Sequence, residues 1–250
     1  MKISLLGFGR VGQGLVSVLI KKRPYLKEKY SLEFEIVAIT DGAGAALSEE
    51  GLDLEKALEV KLKTRSIANY PKFSEKGISG TEVIEKVPCD VVIEMTPTNI
   101  KTGEPGISHL ITAMKNNCHT ITSNKGPLAL AFGKLKKLAS ENGVFFRFEA
   151  AVGGAMPIIN LARETLAGNQ IYSIKGILNG TTNYILSRMA KENAPFDLVL
   201  REAQEMGIAE SDPSLDINGI DTACKAIIIA NEILNWASSI SWRNFKCSNF

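Results

Sequence analysis

Histidine is scarce in this chain: 250 residues contain only His109 and His119. That shortage argues against a histidine-built metal centre, which needs several imidazoles or thiolates at set spacings. The four cysteines, Cys89, Cys118, Cys224 and Cys247, form no CxxC pair. Such usage fits reduced thiols in a cytoplasm better than a disulfide framework. Long hydrophobic runs are missing too. Stretches such as Ala226–Ala230 are far too short to span a bilayer. The opening apolar stretch ends at Gly7, too soon for the core of a signal peptide. Excess charge of one sign is also lacking, since 29 Lys+Arg against 27 Asp+Glu leave +2. That balance offers no electrostatic footprint for nucleic acid or an anionic membrane, and neither is expected as a partner. Internal repeats and low-complexity tracts are absent. With 45% hydrophobic and 22% charged residues the composition is that of an ordinary globular chain, long enough for one large domain or two modest ones. A cytoplasmic α/β protein is the expectation.

Lys2–Leu6 reads as a short strand that runs directly into Gly7-Phe8-Gly9-Arg10-Val11-Gly12. Beyond it Val11, Leu15, Val18 and Leu19 recur at helical spacing. Lys21, Lys22 and Arg23 suit the last turn of that helix, which Pro24 is expected to stop. A Gly-x-Gly-x-x-Gly between strand and helix has a physical reading. The first glycine makes the turn, the second admits a pyrophosphate, and the third lets the helix pack close to the strand. The helix N-terminus adds N–H donors and a partial positive charge. Gly7, Phe8, Gly9, Arg10, Val11 and Gly12 are therefore the expected cofactor loop, with a plain structural turn as the alternative. A second strand, 33–39, ends at Thr40-Asp41. The polar 25–31 stretch before it accounts for the lateness of this acid. Asp41 is either the acceptor for a ribose 2′-hydroxyl, favouring NAD, or a turn former before Gly42. No arginine follows closely, but Lys56, Lys61 or Lys63 could fold back toward a 2′-phosphate. NAD and NADP both stay open.

Further strand-and-helix units follow. Residues 89–95 read as a buried strand ending in Thr96-Pro97-Thr98-Asn99, 107–116 as a helix, and 119–122 as a strand ending in Ser123-Asn124-Lys125-Gly126-Pro127. A helix over 128–141 and a strand over 144–148 complete the series. Such alternation predicts a parallel sheet with right-handed crossovers, whose ligands sit beyond the strand C-termini. Thr96, Asn99 and Lys125 fall at that edge, with Ser123 in the same loop as Lys125. A lysine there is ordinarily a surface lysine, but a site beside the cofactor crevice changes that reading. Glu149-Ala150-Ala151-Val152-Gly153-Gly154-Ala155-Met156-Pro157 then leads to a helix over 158–166, with Pro157 suited to its first turn. The glycines expose carbonyls to a cation or simply make a tight turn.

In the second half, 170–178 is β-like and leads into Asn179-Gly180-Thr181-Thr182-Asn183, which opens a helix over 184–191. Helices are also expected over 196–206 and from about Gly219, where Ile220, Cys224, Ile227, Ile228 and Asn231 share a face. Asp221 and Lys225 stand one turn apart on one side. On an anonymous helix that is a surface pair worth a few tenths of a kcal/mol. Here it borders the apolar face and follows a run of acids, which could hold a ligand's amine.

These motifs resemble one family. The segments GFGRVGQG, TSNKGPLA, EAAVGGAMPII, GILNGTTNYIL and GIAESDPSLDINGIDTACK, in this order, are similar to those of homoserine dehydrogenase from the N-terminus to about Leu234. The resemblance implies NAD(P)-dependent interconversion of L-homoserine and L-aspartate 4-semialdehyde, the step that feeds threonine, methionine and isoleucine synthesis. It implies a Rossmann-type doubly wound parallel sheet over 1–130, followed by an α+β substrate-binding and dimerisation domain over 131–250. It further implies that Glu210 and Asp221 contact the substrate's amino and hydroxyl ends, with Asp216, Gly180 and Thr181 also in the substrate site. Lys125 and Lys225 flank the reacting carbon. Lys225, Lys125 and Asp221 are the implied catalytic residues, and Thr96, Ser123 and Lys125 join the cofactor site. Glu149, Val152, Gly154 and Met156 match positions that hold a structural Na+, largely through backbone oxygens. A homodimer is implied.

The chemistry is coherent without the family. Hydride transfer to an aldehyde leaves an alkoxide, which needs a proton and a nearby positive charge; a lysine ammonium supplies both. Past Leu234 the resemblance fades, and Trp242, Phe245 and Phe250 stand in a polar tail. Family members run several dozen residues further, so a C-terminally truncated form with an incomplete second domain is expected. The competing expectations are a catalytically impaired dinucleotide-binding paralogue and a dehydrogenase of another small amino acid.

Overall fold

The computed structural model describes residues 1–234; the tail aromatics Trp242, Phe245 and Phe250, and Cys247, lie outside the described residues. The chain divides into two compact units, Met1–Ala151 and the residues from Val152 onward. Residues 131–151 thus belong to the first unit.

The first unit runs β1 (Lys2–Leu6), α1 (Arg10–Tyr30), β2 (Glu35–Asp41), β3 (Gly44–Leu47), α2 (Leu54–Thr64), a 3-10 turn (Ile67–Asn69), β4 (Ser74–Lys76), α3 (Gly80–Lys86), β5 (Val91–Glu94), α4 (Gly106–Lys115), β6 (His119–Thr122), α5 (Lys125–Glu141) and β7 (Phe146–Arg147). Among the described residues one seven-stranded sheet results, in the order β4-β3-β2-β1-β5-β6-β7. β2, β1, β5, β6 and β7 are parallel, while beyond β2 the strand β3 pairs antiparallel with β2 and β4 antiparallel with β3. The chain goes from β1 to β2 on one side and later to β5 on the other. The crevice over β1 and β5 is therefore the switch point at which such sheets bind ligands.

Side chains alternate across a strand, and β1 uses both faces. Ile3 and Leu5 join Val16 of α1 and Leu54, Ala57 and Val60 of α2 in one cluster. Leu6 joins Ile84 of α3 and Ala113 of α4 in another. Each fully buried leucine contributes about 1.5–3 kcal/mol, so the residues just before the glycine loop are firmly held.

Pro24 does not stop α1, which continues to Tyr30 and ends on Ser31 in the left-handed region. An internal proline costs roughly 3 kcal/mol through its missing N–H and ring clash. Leu26 and Leu32 beyond it pack on the main core, and Arg23 bonds the Phe34 carbonyl at 2.7 Å. Tertiary packing offsets the local break.

The second unit is helical among the described residues. It comprises α6 (Ile158–Asn160) continuing as a π turn (Leu161–Thr165), then α7 (Gly180–Glu192), α8 (Phe196–Glu205), α9 (Ser214–Ile217) and α10 (Ile220–Ile233). Ile185, Val199, Ala203 and Ala209 form the core between α7 and α8. Arg163 pairs with the buried Glu232 and ties the π turn to α10. The 170–178 segment, expected to be β-like, carries no strand, and Tyr172, Ile174 and Ile177 are exposed. A β-prone stretch becomes a strand only when a partner satisfies its backbone, and among the described residues this unit provides none.

No helix among the described residues is long and apolar enough to cross a membrane. Cys89 and Cys118, 29 residues apart, meet with their sulfurs 3.8 Å apart. Hydrogen bonding from Cys118 pulls the Cys89 thiol down to about 7 against the opposing effect of burial. The same bond and burial push Cys118 up.

Candidate functional site

β1 delivers its C-terminal end to the loop with Gly7 at φ +100°, where a side chain would strain the backbone and collide with Met95 and Thr96. A Cβ on Gly12 would lie 2.3 Å from the Gly7 carbonyl, so α1 presses directly on the turn. Gly9 differs: nothing stands within 4 Å of the position its Cβ would take. It precedes α1 without a side-chain cap, and no acid occupies the first turn. Two glycines thus close the turn while the third leaves open space at a helix N-terminus, the geometry a pyrophosphate needs. Arg10 and Val11 are exposed at the start of α1, while the Phe8 ring is buried in the core, leaving its backbone for a ligand.

The other strand ends of the crevice are Glu94 and Thr122. Thr96, half-buried, follows β5, and its N–H donates to Glu94 at 2.9 Å. Ser123 follows β6, its N–H donating to the Glu94 carbonyl at 3.2 Å. Lys125 is the first residue of α5, between the N-cap Asn124 and Gly126, whose N–H donates to Asn124 Oδ1 at 3.1 Å.

Asp41 closes β2 and is not free to meet a ribose. Its carboxylate accepts from Lys61 Nζ at 2.6 Å, Ile67 N–H at 2.8 Å and Ala43 N–H at 2.9 Å. Asp41 and Lys61 side chains are only 8% and 15% exposed. Burial pushes this carboxyl up, but Lys61 and the two N–H groups outweigh it and hold it below its ordinary range. Of the three lysines that could fold back, Lys61 does so, and it brings a positive charge to the tip of β2.

In the second unit, Asn179 links several of the residues expected in the substrate site. It is the buried N-cap of α7, its Oδ1 accepting from Thr182 N–H at 2.8 Å. Its Nδ2 donates to Asp216 at 2.7 Å and to Asp221 at 3.0 Å. Asp221 pairs with Lys225 at 2.7 Å, with side chains 14% and 16% exposed. Lys225 Nζ also donates to the Leu178 carbonyl at 2.7 Å. The surface-pair alternative therefore fails, because this pair is largely buried and braced by Leu178 and Asn179 just before α7. Gly180 and Thr181 open α7, with the Thr181 hydroxyl donating to the Ile208 carbonyl at 3.1 Å. Glu210 is exposed in the loop after α8, its carbonyl accepting from Gln204 at 3.2 Å.

Glu149 lies in a 3-10 turn after β7. Val152, Gly154 and Met156 follow in a turn where Gly153 and Met156 carbonyls accept from Met156 and Ile158 N–H groups, each at 3.0 Å. Neutral backbone oxygens are hard donors of the class an alkali-metal ion takes, so this turn fits Na+ by donor chemistry.

Three contributors escape a sequence reading: Asn179, Asn124 and Glu94. The first two carry a readable signal, an asparagine just before a helix start. Neither spacing nor type announces Glu94.

A family model described as homoserine dehydrogenase matches residues 157–249, so the likeness to that family continues past Leu234, where the resemblance was expected to fade. A model described as glutamate/leucine/phenylalanine/valine dehydrogenase matches residues 1–104. The homoserine dehydrogenase of Methanocaldococcus jannaschii is 55% identical over 96% of this chain and 71% of its own length. The NAD(+)-dependent homoserine dehydrogenase of Pseudomonas canavaninivorans is 34% identical over 94% of this chain and 66% of its own. A solved hyperthermophilic archaeal homoserine dehydrogenase in complex with NADPH superposes with a TM-score of 0.82 at 31% identity, covering 93% of this chain and 69% of that one.

Proposed function

The chain belongs to the homoserine dehydrogenase family of NAD(P)-dependent oxidoreductases, and from that premise we propose how its residues share the interconversion of L-homoserine and L-aspartate 4-semialdehyde. The nicotinamide supplies or accepts the hydride when bound. The first unit holds the cofactor, its pyrophosphate against the Gly7–Gly12 loop and its nicotinamide end toward Thr96, Ser123 and Lys125. The second unit holds the amino acid. In aldehyde reduction the arriving hydride turns the carbonyl oxygen into an alkoxide, and Lys225 gives it a proton; in the oxidative direction the same proton returns to Lys225. Lys125 assists from its place beside the cofactor. Asp221 orients Lys225, and Asp216, Asp221 and Glu210 offer carboxylates to the substrate ammonium. Gly180 and Thr181, at the start of α7, suit its carboxylate.

The observation that carries this reading is the buried Asp221–Lys225 pair braced by Asn179 and the Leu178 carbonyl. Mixing the protein with L-homoserine at alkaline pH should raise the absorbance of reduced cofactor. Soluble, folded protein that gives no change with either NAD or NADP would end the claim, and faster turnover of serine, threonine or malate would redirect it. In the same assay, Lys61→Ala is expected to lower kcat/KM for NADP relative to NAD about tenfold, roughly 1.4 kcal/mol of differential binding. The reason is that Asp41 would then face a 2′-phosphate uncompensated. An unchanged ratio removes Lys61 from cofactor selection.

Val152, Gly154 and Met156 would offer backbone oxygens to a structural Na+ that stiffens their turn, Glu149 being the last acid before them in the chain. This ion takes no part in the proton or hydride steps. A homodimer through the second unit is supported by the exposed Tyr172, Ile174 and Ile177 on the β-prone 170–178 stretch. A sedimentation mass of a single chain at micromolar concentration would rule it out.

A further inference from the structure

Glu94 is the last residue of β5 and is fully buried. Its carboxylate collects donors from two loops. From its own loop come the Thr96 N–H, at 2.9 Å, and the Thr96 hydroxyl. From the end of β6 comes the Thr122 hydroxyl, at 2.8 Å, and from the loop after it Asn124 Nδ2, at 3.5 Å. Among the described residues no lysine or arginine pairs with it. A buried carboxylate is retained only where its lone pairs are met, and here neutral donors meet them. Asn124 Nδ2 also reaches the Thr96 hydroxyl at 3.3 Å and the Pro97 carbonyl at 3.5 Å. The Asn124 N–H in turn donates to the Thr122 hydroxyl at 3.0 Å. Asn124 Oδ1 then caps α5 by accepting from Gly126 N–H. Both chain neighbours of Lys125 are thus tied to Glu94, Asn124 directly and Gly126 through the cap.

We propose that Glu94 is a positioning residue that clamps the loops after β5 and β6 together and so sets where Thr96 and Lys125 stand over the crevice. This rests on the reading of Lys125 and Thr96 as part of the cofactor site. Glu94 touches neither substrate nor cofactor. Its effect runs through the geometry of those two residues, to which catalysis is sensitive at the ångström level.

The test compares Glu94→Ala, Glu94→Gln and Thr122→Val by steady-state kinetics with NAD, NADP and L-homoserine, alongside thermal melting. Glu94→Ala is expected to lower kcat about tenfold and raise the cofactor KM several-fold, with the KM for L-homoserine little changed. Glu94→Gln keeps the shape and an acceptor for Thr96 and Asn124, so it should restore most of both parameters. Thr122→Val, which removes one donor and is isosteric, should shift kcat and cofactor KM the same way by a smaller factor; it serves if Glu94→Ala does not fold. A lower melting temperature with unchanged kcat and KM in all three variants would overturn the proposal, leaving Glu94 a structural residue. Glu94→Gln as impaired as Glu94→Ala, though folded, would also overturn it. Lys125→Ala is assayed in parallel. If it lowers kcat and weakens cofactor binding while the Glu94 variants do not, only the clamp fails. If Lys125→Ala is itself without effect, the site reading fails.

Discussion

Replacing Lys225 by alanine is expected to lower kcat by about two orders of magnitude or more, the range of a general acid–base group. The cofactor KM should change little, because no ligand of the cofactor loop is altered. The structure explains why the effect should be this large. Lys225 is held at two points, the Asp221 carboxylate and the Leu178 carbonyl, both at 2.7 Å. A lysine so tethered has lost most of its rotamer freedom before substrate arrives, so its ammonium is presented rather than searched for. Removal leaves the Leu178 carbonyl without this donor and Asp221 with Asn179, at a stability cost of about 1–3 kcal/mol. Melting therefore has to be measured with the kinetics. Near wild-type turnover across the pH range, from protein that still melts cooperatively, would show that another group moves the proton. Asp221→Ala should differ in kind, raising the KM for L-homoserine as well as lowering kcat, since its carboxylate pairs with Lys225 and is proposed to hold the substrate.

The second large effect separates two glycines of one loop. Gly12→Ala would put a Cβ 2.3 Å from the Gly7 carbonyl, backbone against backbone, with no flexible side chain to yield. Overpacking of this kind costs about 1–3 kcal/mol or more. In a chain of this size the melting midpoint should fall by about 2–4 °C for each kcal/mol. Cofactor affinity should fall with it, because α1 must move off the turn. Gly9→Ala meets nothing within 4 Å, so its stability cost should stay within about 1 kcal/mol, the scale of a lost helix N-cap preference. It nevertheless fills the space left for the pyrophosphate and should raise the cofactor KM about tenfold or more. Equal melting loss in both variants, with cofactor binding intact in Gly9→Ala, would contradict the assignment.

The parts of this architecture that were legible are those ruled by local pattern. Lys2–Leu6 and His119–Thr122 are apolar or β-branched runs bounded by turn residues, and both strands form as read. The glycine loop was legible because steric demand at Gly7 and Gly12 leaves no other residue comfortable. β3 was not, since Gly44-Ala45-Ala46-Leu47 has little intrinsic strand preference; it exists because it pairs antiparallel with β2 from Ala38 to Asp41. Pro24 misled because packing of Leu26 and Leu32 outweighs a local break. Within the site, Asp221 and Lys225 share a helix turn and could be paired by counting. Asn179 reaches carboxylates 37 and 42 residues away, and Asp41 meets a lysine 20 residues on. No local spacing encodes such meetings, and only the folded chain discloses that Asp41 is already engaged.

The two ends of the seven-stranded sheet bear on how copies of the molecule behave when crowded. An exposed strand edge is a template on which another chain can add, and long, flat, apolar edges invite fibres. Here one margin is Ser74-Glu75-Lys76, three polar residues with Glu75 engaged by Lys86. The other is Phe146-Arg147, only two residues long. Each is too brief, and the first too charged, to register a foreign strand. Concentrating the protein should therefore not knit neighbouring sheets into a continuous ladder.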